Sequence, residues 1–530
     1  MSGVGLASPN TTAARTSRAY VYGDFDNKAT NTQAAFSKDD TLILGWNGPR
    51  DVDNPVNWSK GHKWLVTCTA LFATLIVCWN GTSVAAAALE INAEFNISDA
   101  TFPHSYWPVC SWTFGGAVFV VLLLPIMEDV GVRWGFRIAY IFFLLMIIPQ
   151  ALATNFETLV ITRFLSGGCV SLLANTIASV IADVWETDEE RSIPVSLYIL
   201  MYLAGNTLGL PIFGGVTQYL PTWRWIFYIQ LIIYGSLLPF FWYFIQETRS
   251  SVILRRRAKH LRKTTGQKIY AESDLDAPPI LQVLAKSASR PLYLLCTEPL
   301  LIANTLWSSF CFGTVFLFTQ STAIVFTSLY DWEEYSVAYV NGAVVIGEIF
   351  GWCATLLSTK LYLTSAARNT ECPGKPIPEA RLYVSIFGSF FGVVGGMFVY
   401  AWTSYSTIPW IAPAVGLAMV GFGIQTVVSA VADYILDAYA ASGYAASAVS
   451  ACAAGESLTA AFLPFAANAM YGHLGLQWAS TLLAFLAIVL SMAPVVFVWK
   501  GRTFRERSPF MQAGVALAKA STQSTEEGVV

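Results

Sequence analysis

A chain of 530 residues, 55% hydrophobic and only 12% charged, with a mean hydropathy of +0.52, is too apolar for a soluble multidomain protein and reads as a polytopic membrane protein. Its net charge of −3 selects neither an acidic nor a basic partner, and no nucleic-acid binding is expected. Nine cysteines stand singly, without a CxxC pair or a Cys/His cluster, so no metal site, disulfide framework or cofactor is expected.

Residues 1–60 are rich in Ser, Thr, Asn, Asp and Ala and carry no apolar run, which predicts a disordered cytosolic tail without a cleavable signal peptide. The tail closes on DVDNPVNWSKGHKW, a turn at Asn54-Pro55 leading to an interfacial Trp58. Apolar runs of about 20 residues, the length that crosses a bilayer core, then recur twelve times. Six belong to residues 61–245 and six to 291–500, on either side of a basic stretch at 246–290, and a short tail follows at 501–530. The fold class expected is an all-α membrane protein, twelve helices in two six-helix bundles.

Lys and Arg set the orientation. The central stretch holds Arg249, Arg255, Arg256, Arg257, Lys259, Arg262 and Lys263, whereas LEINAEFNISDATF, ATNFE, TQYLPT, SLYDWEEYS, TSYST and YGHLGLQ hold none. The central stretch and both termini are therefore assigned to the cytosol. The sequon Asn96-Ile97-Ser98 falls in the first outer loop and is a glycosylation candidate.

In chain order, the functional candidates begin with the loop LLLPIMEDVGVRWGFR. Glu128, the turn glycine Gly131 and Arg133 are placed there to form a charged latch that pairs in one state and separates in another. Arg163 stands seven residues into the fourth run, about 10 Å deep, and must pair or face water. The fifth run combines Gly205 and Gly209, four apart, with Pro211, Gly214 and Gly215, the marks of a close-packed and bent helix. Glu348 and Glu456 lie near the bilayer centre of the eighth and eleventh runs, where a carboxylate must be protonated, paired or in an aqueous cavity. Asn80, Asn175, Asn304, Gln320 and Gln425 can hydrogen-bond a ligand in that cavity without fixing its charge, and the abundant aromatic residues suit planar or amphipathic molecules.

Several of these stretches carry a family resemblance. AGNTLGLPIFGG, followed by WRWIF, resembles the fifth-helix signature of drug:proton antiporters of the major facilitator superfamily, and RFLSGG resembles their fourth-helix motif. The loop after the second run looks like their Gly-x-x-x-Asp/Glu-Arg-x-Gly-Arg-Arg motif, with Leu124, Asp129 and Val132 departing from it. QETRSSVILRRRAKHLRK resembles the Glu-Thr plus basic helix after the sixth span, and its charge suits anionic lipid headgroups.

The resemblance implies a midplane cavity flanked by spans 1, 4, 7 and 10, a rocking interface of spans 2, 5, 8 and 11, and a role for Arg163 in proton coupling. Relatives often carry arginine near the position of Glu456, which moves a proton site into this half. The implied function is proton-coupled export of a small amphipathic molecule (drug, toxin, secondary metabolite or glycolipid) by a monomer in the plasma membrane. Import of organic acids or polyamines, a non-transporting receptor and a vacuolar location are the alternatives. No Walker loop supports ATP-driven pumping, and neither a nucleophile elbow nor an HExxH helix supports an enzyme.

Overall fold

Inside a bilayer an isolated apolar segment can satisfy its backbone only as a helix. The computed structural model describes residues 19–21, 42–99, 102–275, 280–368, 376–439 and 444–508, and twelve helices among them are long and apolar enough to cross. Spans 1 to 6 are Lys60–Phe95, His104–Leu124, Val132–Ala151, Phe156–Val184, Glu189–Tyr219 and Arg224–Phe244. Spans 7 to 12 are Pro299–Tyr330, Glu334–Arg368, Pro378–Thr403, Ile411–Tyr439, Ala445–Leu474 and Leu476–Gly501.

In the first half the closest helix pair is spans 2 and 4, where a Cβ added to Gly167 would lie 2.6 Å from the Trp112 carbonyl carbon. Only a residue without a side chain allows the two backbones to approach that far. Spans 8 and 10 form the corresponding pair in the second half, and the halves meet where span 2 packs on span 11 and span 5 on span 8. Two spans are locally rewound. Span 1 passes from α into 3-10 geometry over Val84–Ala87, and span 9 takes π geometry over Gly388–Gly395. Such departures within a membrane helix turn carbonyls away from their usual partners.

The all-α membrane architecture holds, and outside the membrane a small sheet accompanies it. A three-stranded parallel sheet joins β1 (Ala19–Val21), β2 (Leu42–Leu44) and β3 (Ile269–Ala271), so part of the N-terminal segment expected to be disordered is paired with the central stretch. The reason is burial: Leu42, Leu44, Ala258 and Ile269 form a small core against the helix Ser250–Thr265. Residues 1–18, 22–41 and 509–530 of the two predicted tails lie outside the described residues. The central stretch is also more ordered than a loop, since a second helix, Ile280–Thr297, packs against spans 2 and 11.

Asp51 fastens this sheet to the basic helix. Its carboxylate accepts from the backbone N–H of Asn47 at 2.8 Å and of Asp53 at 3.0 Å, and from Arg257 Nη1 at 2.8 Å. Burial alone would raise the Asp51 carboxyl, but these donors and the Arg257 charge together hold it below its ordinary value. A carboxyl lowered in the folded state stabilises above its unfolded value and loses that contribution as pH falls through the folded one. Amide exchange at Ile43 and Leu44 should therefore stay slow from neutral pH down to about pH 4 and accelerate only below it. Asp51→Asn should show fast exchange already at pH 7; slow exchange in that variant would refute the fastening role.

Candidate functional site

Among the described residues of the N-terminal half, the cation buried most deeply is Arg163, ahead of Lys63 and Arg137. Arg163 is wholly inaccessible, and it is held by carbonyls: Nε donates to Pro108 O at 2.9 Å, Nη1 to Asn80 O at 2.5 Å and Nη2 to Gly81 O at 2.5 Å. Asn80 and Gly81 open the last α-helical turn, Asn80–Ser83, before the 3-10 stretch Val84–Ala87 of span 1, and their carbonyls reach Arg163 of span 4. The Asn80 side chain then ties the region together. Its Oδ1 accepts from Trp112 Nε1 at 2.8 Å, and its Nδ2 donates to Gln230 Oε1 at 2.7 Å. Gln230 in turn donates to Ser83 Oγ at 2.7 Å. Asn80 was expected to line a cavity; here it is fully buried and committed to orienting the carbonyls around Arg163. No carboxylate among the described residues pairs with Arg163, and neither Glu348 nor Glu456 is brought to it.

The two midplane acids lie in the C-terminal half. Glu348, with no accessible surface, accepts at Oε1 from Thr207 Oγ1 of span 5 at 2.9 Å, while its Oε2 has no partner. That contact crosses from one half to the other. Glu456 is half-buried and stays within its own half, accepting at Oε1 from Ser308 Oγ of span 7 and from Cys452 Sγ at 3.7 Å.

The remaining polar candidates divide. Asn175 donates to Ser171 O of its own helix at 2.8 Å and Asn304 to Leu300 O at 2.8 Å, leaving Asn304 Oδ1 buried without a partner. Gln425 donates to Ser429 Oγ at 3.2 Å and its Oε1 is likewise unpartnered. Gln320 is half-buried on span 7, and Asn96 is exposed in the left-handed conformation that ends a helix at Phe95.

The glycines of span 5 serve two different contacts rather than one seam. Gly205 faces Cys78 of span 1, and a Cβ on Gly209 would lie 2.6 Å from Thr82 Oγ1, also on span 1. Only Gly214 and Gly215 look across the divide, to Ala338 and Tyr339 of span 8. Pro211 is accommodated inside the continuous helix Asp188–Tyr219.

At the turn after span 2 the described residues show a further acid, besides the Glu128 expected to form the latch. The side chain of Glu128 lies outside the described residues, and among the described residues Glu247 occupies the turn. Its Oε1 accepts from the Val132 N–H at 3.0 Å, and its carboxylate fills the space that a Cβ on Gly131, at φ 99°, would need. Arg133 leaves its Nε buried without a partner, whereas Arg255 reaches Asp129 at 3.4 Å. The C-terminal half has a comparable cluster that the sequence reading missed: Arg381, over the Tyr362 ring, bonds Asp433 at 3.0 Å and Asp437 at 2.7 Å.

Arg163→Lys should fail despite keeping the charge. A single ammonium cannot reach three divergent carbonyls as a planar fork does, and each buried carbonyl left unpaired costs about 1–3 kcal/mol. Thermal unfolding of the detergent-purified variant should fall by several degrees with transport lost; wild-type stability and transport would contradict the cradle.

A sequence profile described as Major Facilitator Superfamily matches residues 70–454. The transporter paaT of Penicillium rubens is 30% identical over 461 residues, covering 87% of this chain and 82% of its own. A citrinin biosynthesis cluster MFS transporter of Monascus ruber is 30% identical with 89% and 93% covered, and an efflux pump, radE, of Floropilus chiversii is 28% identical with 89% and 86% covered. Among solved structures, the xylose transporter XylE of E. coli in a partially occluded inward-open conformation superposes with a TM-score of 0.56 at 14% identity, over 83% of this chain and 98% of its own. That likeness is one of fold. Twelve spans in two bundles, the profile match and relatives at this identity over most of the chain make the protein a multi-pass membrane transporter that belongs to the major facilitator superfamily.

Proposed function

We propose that this transporter exports a small amphipathic molecule in exchange for protons, with Glu348 as the group whose protonation is linked to closure of the two halves. The hydrogen bond between Thr207 and Glu348 carries this reading. Thr207 Oγ1 has one proton and two acceptors nearby, Leu203 O at 3.1 Å and Glu348 Oε1 at 2.9 Å. When the hydroxyl serves its own helix, a protonated Glu348 completes the cross-contact as donor and an ionised one does not. An ionised Glu348 in the closed seam would also be a buried charge without a basic partner, at a cost of several kcal/mol. Protonation therefore favours the halves together, and deprotonation favours parting them so that water reaches the carboxylate.

Export as the direction is supported by the span 5 resemblance and by relatives named as an efflux pump or as biosynthesis-cluster transporters. The plasma membrane, with both termini cytosolic, is the location this reading adopts. The Lys and Arg distribution supports that orientation. Thr217, Gln218 and the other residues of the span 5–6 turn would then face outward.

Efflux of a panel of amphipathic compounds from cells, with and without a proton gradient, tests the proposal. Glu348→Gln should lose gradient-driven efflux by about ten-fold or more yet retain counterflow, while Thr207→Val should lose only a few-fold, the scale of one hydrogen bond. Wild-type efflux that ignores the gradient, or gradient-driven efflux that survives Glu348→Gln, would overturn it.

A further inference from the structure

We infer that the closed midplane holds a binding subsite for a planar aromatic or conjugated molecule bearing a hydroxyl or N–H donor, with Tyr202 and Phe312 clamping its faces and Glu456 accepting its proton donor. The inference rests on the transporter reading and names the class of its substrate.

Two ring systems meet where the halves meet. Tyr202 of span 5 and Phe312 of span 7 lie with centroids 5.6 Å apart and planes only 6° from parallel, and Tyr198, one turn before Tyr202, continues the stack at 6.3 Å and 21°. Offset stacking is an ordinary packing of aromatic side chains; what distinguishes this stack is that its rings come from two separate halves, which makes it a platform for a flat molecule. Phe312 is buried, while Tyr198 and Tyr202 keep part of their surface.

The polar end lies one helical turn away. Ser308 and Phe312 are four residues apart on span 7 and share a face, and Ser308 donates to Glu456. The carboxyl is therefore positioned by a fully buried hydroxyl while the residue itself stays half-buried. On the same span, Asn304 Oδ1 and Ser309 Oγ are buried without partners. Native interiors rarely leave such atoms unpaired, and a ligand with further hydroxyl or carbonyl groups would satisfy them. A flat ligand entering between Tyr202 and Phe312 must part the rings by roughly 3.5 Å, one layer of carbon contact. Occupancy thereby parts the facing rings of spans 5 and 7.

The test is equilibrium binding without a gradient, on full-length protein in lipid nanodiscs, using tritiated 2-naphthol as probe and unlabelled competitors. On the wild type, decahydro-2-naphthol, which lacks the planar rings, and 2-methoxynaphthalene, which lacks the donor, should each compete about ten-fold more weakly than unlabelled 2-naphthol. Tyr202→Leu and Phe312→Leu should weaken 2-naphthol several-fold, Tyr202→Phe should retain it, and Glu456→Leu should erase the preference for 2-naphthol over its methyl ether. Equal competition by the saturated alcohol, absent binding to the wild type, or unchanged binding in correctly folded Tyr202→Leu and Phe312→Leu would overturn the subsite. Because no proton gradient is present, failure of the Glu348 coupling would leave these results intact, and failure here would leave that coupling standing.

Discussion

A charge at bilayer depth must be given partners, and the way this molecule meets that constraint organises both halves. In the N-terminal half the partners are peptide carbonyls, not a carboxylate. Span 1 rewinds at Val84–Ala87, one turn past Asn80, span 2 contributes Pro108 O, and Asn80, Trp112 and Gln230 lock the carbonyl-bearing turn in place. Four spans are thereby joined around a single guanidinium, adding hydrogen bonds to the close glycine contact of spans 2 and 4. The C-terminal half answers the same constraint with hydroxyls, one from its own span 7 and one borrowed from span 5.

In the proposed cycle that difference would give the two acids separate parts. Glu456 and Ser308 lie within one half, so their contact survives a rocking motion and suits a stable binding surface. Glu348 and Thr207 lie on opposite sides of the divide, so their contact exists only while spans 5 and 8 are together. Away from the midplane, Ser192 meets Thr359 at 2.7 Å and Trp352 Nε1 donates to Ser196 Oγ at 3.2 Å, while near the other end of the same pair Tyr339 donates to Gln218 at 2.9 Å. Neutral hydrogen bonds of this kind each contribute modestly, and a rocking motion can exchange them for water at little cost. The carboxyl is the member of the row whose cost changes with a proton.

The span count, the division into halves and the buried ionisable residues were legible because hydropathy and charge are properties of single residues and short windows. Partnership was not. Arg163 signalled that it needed partners, but backbone carbonyls carry no letter in the sequence, so the cradle was invisible until span 1 was seen to rewind. Thr207 and Ser308 look like any hydroxyl returning a bond to its own helix, as Thr207 indeed does to Leu203. Glu247 stood in a recognised Glu-Thr stretch, yet its place beneath Gly131, more than a hundred residues away in sequence, is fixed by tertiary packing. The parallel strand at Leu42–Leu44 is only three residues long, too short for its alternation to stand out against a polar tail.

The central claim, that protonation of Glu348 holds the halves together, is tested most directly by measuring the distance between them as a function of pH. Spin labels at Tyr219 and Trp410, both exposed and on opposite halves, in a background cleared of native cysteines, report the separation by double electron-electron resonance. The account predicts that the short-distance population grows as pH falls in the wild type and is high and independent of pH in Glu348→Gln. A pH response that persists unchanged in Glu348→Gln would contradict it.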